Sequence, residues 1–277
     1  MCLSIPSRAS SSTFRAIHLN SSWQNFGEPN SIGFRAKQKD ENVLRIVIIS
    51  PAMSLGTTMK SSIGAKALMA ITGIVLVLFV IGHMVGNLQV FLGPDQLNHY
   101  AHTLQSLGPI LWIIRLVLLT TLVAHIWSAA VVVRMSVAAR PVAYQKRKDL
   151  ATGFAARTML VSGIVVALFI VYHILHFTTG TIDMAGSYGQ LLPDGGKDVY
   201  AMVVQGFQHP LTALVYCLAT LVLCLHLSHG VSSLMQTLGF RNDSNASCID
   251  KIGPVLAIII LIGNLSMPLA ALTGLIK

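Results

Sequence analysis

Residues 163–173 read GIVVALFIVYH, and residues 73–83 read GIVLVLFVIGH. The two stretches share the pattern G-I-V-x-x-L-F-x-x-x-H, so each is an apolar run that ends in a histidine at the same place. About 20 apolar residues in a helix cross a bilayer core of about 30 Å, and both runs lie within segments of that length. The repeat therefore predicts two equivalent membrane-spanning helices, each with a histidine near one end.

The whole chain has the composition of a membrane protein. Of its 277 residues, 53% are hydrophobic and 10% are charged, whereas an average soluble domain has about 25% charged residues. Five segments have the length and apolarity of a spanning helix, near 66–92, 109–133, 158–178, 210–236 and 253–276. We therefore predict an all-α integral membrane bundle of five transmembrane helices, in which two histidine-bearing hairpins form parallel repeats and a fifth helix closes the bundle.

The first 52 residues differ in character from the rest. They are rich in Ser and Arg and lack the apolar core of a secretory signal. Met53 directly precedes the apolar part of the chain, so 1–52 is expected to be a disordered extension or the result of a start codon placed too early. Residues 53–277 form the predicted transmembrane domain.

Lys and Arg residues are concentrated on one side of the predicted membrane. Residues 93–108, between the first two spans, contain no Lys or Arg. By the positive-inside rule, the second and fourth connections and the start of the first span are predicted to be cytoplasmic. The net charge of +9 thus reports orientation and does not indicate a nucleic-acid partner. The basic residues are Lys60 and Lys66 near the first span, and Arg134, Arg140, Lys146, Lys148, Arg147 and Arg157 between the second and third.

Six of the ten histidines lie within the apolar spans: His83, His125, His173, His176, His226 and His229. A polar ring in a spanning helix is costly unless it has an interior partner or a cofactor. A lone histidine often only hydrogen-bonds to a neighbouring helix. Depth in the membrane distinguishes the two interpretations.

Two of these histidines are predicted to lie toward the outer face. Lys66 to His83 is 17 residues and Arg157 to His173 is 16. At about 1.5 Å per residue, both rings are about 24 to 26 Å from the cytoplasmic boundary. They form the predicted outer pair.

Two others are predicted to lie toward the cytoplasm, on helices that run the other way. Pro109 and Pro210 are suited to a first helical turn. Pro109 to His125 and Pro210 to His226 are both 16 residues, or about 24 Å of descent from the outer boundary. They form the predicted inner pair, about 18 Å from the outer pair along the membrane normal.

Two facing imidazoles at one depth are what a six-coordinate haem iron needs, because the porphyrin leaves two axial positions. The sequence has no CxxCH motif, so any haem would be bound without thioether links. His176 has no counterpart in the repeat and His229 is 19 residues from Pro210. Their roles stay open between support of a haem propionate or quinone oxygen and packing between helices.

Three stretches carry a resemblance to a known family: IGHMVGNLQVFLGPDQLNHYAHTL (81–104), VYHILHF (171–177) and HLSHGVSSLMQTLGF (226–240). They resemble the dihaem cytochrome b membrane-anchor subunit of bacterial succinate:quinone oxidoreductases, the five-helix, single-subunit type of succinate dehydrogenase and fumarate reductase. The resemblance covers roughly 60–277. It implies two b-type haems, with His125 and His226 as iron ligands nearer the cytoplasm and His83 and His173 nearer the outer face.

The resemblance also implies partners and a location. A flavoprotein that interconverts succinate and fumarate and an iron–sulfur protein would dock on the cytoplasmic side, and membrane quinone would be the substrate. This chain has neither a GxGxxG fingerprint nor a ferredoxin-like cysteine series, and no catalytic dicarboxylate site of its own is expected. The implied location is the bacterial inner membrane, with multiple spans and a cytoplasmic N-terminus.

Quinone is expected to react near the outer haem, and electrons to pass from the iron–sulfur protein through the inner haem to the outer one. The outer boundary carries further polar residues that fit this expectation, His99, His102, His209 and Arg115, although loop positions can be polar without a function. No Asp or Glu lies within the predicted spans, so a proton path built on buried carboxylates is not expected.

Two other functions remain open at this stage. One is a bis-histidine cytochrome b that shuttles electrons across the membrane without soluble partners. The other is a transporter or assembly protein whose histidines pack or carry protons. The equal 16-residue spacing in two helices and the repeat in the other two favour haem ligation over this last alternative.

Overall fold

Helix α1 begins at Ser62 because the Ser61 side chain accepts a hydrogen bond from the N–H of Gly64, at 3.1 Å. The computed structural model describes residues 61–139 and 157–277. Within them the α-helices are α1 (Ser62–Asn87), α2 (Pro94–Ser106), α3 (Pro109–Ala138), α4 (Met159–His173), α5 (Val199–Gln208), α6 (Pro210–Thr237) and α7 (Ala246–Leu272). A 3₁₀ turn, Leu88–Leu92, extends α1, and a π-helical turn, Ile174–Thr178, extends α4.

Five of these elements are long and apolar enough to cross a membrane: Ser62–Leu92, Pro109–Ala138, Met159–Thr178, Pro210–Thr237 and Ala246–Leu272. Their outward faces are apolar, and on α3 only Ser128 is buried. Such surfaces are stable in lipid, where the helix satisfies its own backbone hydrogen bonds. The predicted all-α membrane bundle is therefore confirmed, and the protein is a multi-pass membrane protein.

The prolines that were predicted to start two spans do so. Pro109 and Pro210 each occupy the first turn of their helix. Proline is tolerated there because N–H groups of the first turn have no acceptor within the helix. The fifth span differs from its prediction. Helix α7 begins at Ala246 and includes Pro254 and Pro268 in its interior.

The early start of α7 brings one acidic residue into a spanning helix, contrary to the expectation that the spans contain none. Asp250 lies near the start of α7, where its two carboxylate oxygens accept hydrogen bonds from Arg241 at 2.8 and 3.0 Å. Both side chains are partly exposed. The Asp250 carboxylate is thus neutralised by Arg241 in the first turns of α7, and it does not lie among the histidines.

The helices pack as two hairpins with α7 against them. Helix α1 packs on α3, α4 packs on α6, and α7 packs on α6 and α1. Two glycines let α7 approach closely: Gly253 lies against the carbonyl of Ser228, and Gly263 lies against the Met84 sulfur. These contacts surround a core of buried side chains that includes Ile260. The fifth helix therefore closes the bundle, as predicted.

Two short helices, α2 and α5, meet at the end of the bundle that was predicted to face outward. Asn98 of α2 is buried, donates to the Asp198 carboxylate at 3.1 Å, and accepts from the N–H of Tyr200 at 2.9 Å. Asp198 also caps α5 by accepting from the N–H of Ala201. One side chain thus joins two elements that are distant in sequence.

Replacing Asn98 with alanine is expected to lower the free energy of unfolding by about 1–3 kcal/mol, because the buried N–H of Tyr200 loses its acceptor and Asp198 loses one of its two donors. Thermal unfolding in detergent measures this loss. Gln96→Ala on the same helix is the control, since Gln96 only pairs with Gln89 at an exposed position. An Asn98→Ala variant as stable as Gln96→Ala would contradict the assigned role.

Residues 1–60 and 140–156 are outside the described residues. The predicted extension 1–52 and five of the basic residues used for orientation fall there: Lys60, Arg140, Lys146, Arg147 and Lys148. These expectations stay predictions.

Candidate functional site

The inner histidine of the first hairpin is held by a hydroxyl on the neighbouring helix. His125 on α3 has its Nδ1 3.1 Å from the Thr72 Oγ1 on α1. The same hydroxyl donates to the backbone carbonyl of Leu68 at 2.7 Å. Since the Thr72 proton is directed to that carbonyl, the hydroxyl is left to accept from the ring.

The second hairpin repeats this arrangement. His226 on α6 has its Nδ1 3.2 Å from the Ser162 Oγ on α4, and Ser162 donates to the carbonyl of Met159 at 3.0 Å. Thr72 and Ser162 are aligned in the sequence repeat, each one residue before the shared glycine. The two hairpins therefore share this hydroxyl–imidazole contact as well as the sequence pattern.

The hydroxyl contacts assign the tautomer of both inner rings. A ring whose Nδ1–H donates to a hydroxyl has a lone pair on Nε2, which is the form in which neutral imidazole binds a metal. Histidines that bind metals usually donate their other N–H in this way, and the contact fixes the orientation of the ring. His125 and His226 are thus both prepared to act as ligands through Nε2.

The repeated glycines lie directly against these rings. A Cβ added at Gly73 would be 3.6 Å from Cε1 of His125, and one at Gly163 would be 3.2 Å from Cε1 of His226. Glycines in spanning helices often allow two helices to approach closely. The structure shows that they make room for the imidazoles.

The two pairs lie at different depths. Thr72, beside the inner ring, and His83, in the outer pair, are separated by 11 residues on α1, and Ser162 and His173 by 11 on α4. At about 1.5 Å per residue, each helix separates the levels by about 16 Å. His125 on α3 and His226 on α6 are the rings at the level of Thr72 and Ser162.

The outer rings are in direct contact. The ring centroids of His83 and His173 are 5.7 Å apart, and their planes are at 87°. Two imidazoles on one metal ion, with metal–nitrogen bonds of about 2 Å, have centroids about 6 Å apart, so the spacing fits a shared iron. The Nε2 of His83 accepts from the Asn87 amide at 3.0 Å. That amide must turn away for Nε2 to bind a metal.

His173 is supported by a tyrosine. The Tyr216 hydroxyl lies 3.2 Å from Nδ1 of His173 and 3.0 Å from Nδ1 of His176. One hydroxyl proton cannot be given to both rings, so Tyr216 donates to one ring and accepts from the other. With His173 as a ligand through Nε2, its Nδ1–H donates to Tyr216, which then donates to His176. His176 is therefore linked to His173 through the Tyr216 hydroxyl.

The π-helical turn places His176 in this cluster. His176 is buried, packs on Phe177 with centroids 4.0 Å apart, and lies close to Gly206 of α5. A π-helical turn inserts a residue and turns the following side chains, and such turns are frequent at functional sites. Phe207 packs on Tyr216 from α5. The outer histidines thus lie in an aromatic cluster.

The remaining polar residues of the outer boundary do not join this cluster through any contact of the described residues. His99 and His102 are exposed on α2. His209 contacts Thr212 at 3.5 Å, and Arg115 lies 5.0 Å from the ring centre of Trp112. His229 lies on α6, three residues after His226.

Sequence reasoning missed three residues of the site. Thr72 and Ser162 could have been found, because both are small hydroxyl residues at the same place in the repeat. Tyr216 had no such signal, since it lies in an apolar stretch of α6 without a repeat counterpart.

The donor set determines which metal groups fit. In residues 61–139 and 157–277, three or more His, Cys, Asp or Glu side chains are nowhere grouped to hold a bare metal ion. Paired neutral imidazoles fit haem iron, because the porphyrin supplies the other four nitrogens. No family model matches this sequence, and no curated protein or solved structure is significantly similar to it.

Proposed function

We propose that this chain is a membrane cytochrome b that holds two haems without covalent links and serves as the membrane anchor of a succinate dehydrogenase or fumarate reductase complex. One observation carries the cytochrome assignment. His125 and His226 each have Nδ1 beside a buried hydroxyl that already donates to a carbonyl, an arrangement that leaves Nε2 for a ligand, and His83 and His173 lie together about 16 Å further along the helices. When bound, haem supplies one-electron redox chemistry between an iron–sulfur partner and membrane quinone.

The residues of this chain hold and orient the group. His125 and His226 would bind the inner iron, and His83 and His173 the outer iron. Thr72 and Ser162 prevent rotation of the inner rings. The helices that carry the four histidines are apolar and long enough to cross a membrane.

The complex is proposed from the resemblance of 60–277 to the anchor subunits, together with what the chain lacks. Its sequence has no dinucleotide fingerprint and no ferredoxin-like cysteines, so flavin and iron–sulfur chemistry would come from partner subunits. We place the chain in a bacterial inner membrane with its N-terminus and the basic connection after α3 in the cytoplasm. The partners would dock on that side, and quinone would react near the outer pair.

A pyridine haemochrome assay tests the cytochrome assignment. The chain, purified from membranes with whatever partners it retains, is expected to contain two b-type haems per polypeptide. One haem would show that one histidine pair does not bind iron. A chain that contains none, whether purified alone or with partners, would overturn the proposal and favour a packing role for the histidines.

Co-purification tests the membrane-anchor assignment separately. Mild detergent extraction is expected to yield the chain with a flavoprotein and an iron–sulfur protein, and the complex to reduce an acceptor with succinate. A dihaem protein without partners would support the stand-alone electron shuttle.

A further inference from the structure

The hydroxyls of Thr72 and Ser162 are not explained by helix structure alone. Serine and threonine in helices often donate to a carbonyl three or four residues earlier. Other described residues do this without contacting a ring, for example Thr237, which donates to the carbonyl of Ser233. Thr72 and Ser162 use both capacities of the hydroxyl, donating to a carbonyl and accepting from an imidazole on another helix.

These hydroxyls are shielded from solvent. The exposed fraction is 7% for Thr72 and 4% for Ser162. A ring N–H inside a membrane bundle is costly to leave without an acceptor. Each ring is held in one orientation by its hydroxyl together with a backbone carbonyl of the same neighbouring helix, that of Met69 for His125 and that of Met159 for His226. The glycine that follows each hydroxyl residue lies against the same ring, and its lack of a side chain makes room for the imidazole.

From these contacts, and resting on the proposed function, we infer that Thr72 and Ser162 are positioning residues for the inner haem, which set the tautomer, orientation and basicity of His125 and His226. An imidazole whose N–H donates to an acceptor is a more basic ligand and stabilises oxidised iron. The hydroxyls therefore lower the midpoint potential of the inner haem. The outer haem has a different support, Tyr216 on His173, so the two potentials are set by separate residues.

Four variants test the inference in the haem-loaded protein extracted from membranes. Thr72→Val and Ser162→Ala remove each hydroxyl with little change in shape, and Thr72→Ser and Ser162→Thr keep it. The repeat itself uses both residue types, so these exchanges are expected to preserve the contact. The midpoint potentials are measured by redox titration followed by absorbance, and haem retention is measured after dilution. The absorbance signal that disappears in His226→Ala is assigned to the inner haem.

Removal of either hydroxyl is expected to raise the inner midpoint potential and to weaken inner haem retention about 10- to 100-fold, as typical for partners of metal ligands. The outer signal is expected to stay unchanged, and Thr72→Ser and Ser162→Thr to match the original protein. Ser128→Ala is the matched control, because Ser128 is buried and donates only to the carbonyl of His125.

Three outcomes would overturn the inference. Unchanged inner potential and retention in both Thr72→Val and Ser162→Ala would show that the hydroxyls do not act on the ligands. Equal shifts of both haems, or the same shift in Ser128→Ala, would indicate a general loss of packing. In each case the original protein still contains two haems, so the proposed function stands. A protein without haem would overturn both.

Discussion

Replacement of His226 by alanine is expected to reduce the haem content from two per chain to one, with loss of the inner haem alone. We propose His226 as one of the two ligands at its level, and a haem held by one imidazole instead of two would be bound more weakly. His83→Ala is expected to remove the other haem. The double replacement is expected to leave none. Haem per polypeptide, from a pyridine haemochrome assay, is the measurement.

His176→Ala is the control for the outer pair, because His176 is buried on the same element and contacts Tyr216, yet has no counterpart in the repeat. It is expected to keep both haems and to change only the outer spectrum. If His176→Ala removes the outer haem while His173→Ala retains it, the ligand has been assigned to the wrong histidine.

Replacement of Gly253 by valine is expected to have the second large effect, a loss of about 3 kcal/mol in the stability of the bundle. Gly253 lies against the carbonyl of Ser228 and the hydroxyl of Ser232, so a side chain there pushes α7 away from α6. The Ser228 carbonyl belongs to the backbone of α6, so it cannot move aside as the end of a flexible side chain could. Ser228 lies between His226 and His229, so inner haem retention is expected to fall together with the unfolding temperature in detergent.

Gly82→Val on α1 is the matched control, since a Cβ at Gly82 meets nothing within 4 Å. It is expected to leave the unfolding temperature near that of the original protein. A Gly253→Val variant that unfolds at the same temperature as Gly82→Val would contradict the close approach of α7 and α6.

Several parts of the structure could be predicted from local sequence. The five spans follow from apolar length, since a membrane requires about 20 residues of helix wherever the chain crosses it. The starts of α3 and α6 follow from Pro109 and Pro210, which act within one helical turn. The start of α7 could not be predicted in this way. Pro254 resembles a helix start, whereas α7 begins at Ala246 and continues through it.

The sequence by itself predicted two levels for the four histidines, because rise per residue converts spacing into depth without any knowledge of packing. Only the tertiary structure decided which group each ring contacts. The Thr72–His125 and Tyr216–His173 contacts join residues far apart in the chain. They depend on how each helix is rotated about its axis and on the π-helical turn at Ile174–Thr178. Rotation is set by packing between helices, which no local pattern of apolar residues specifies.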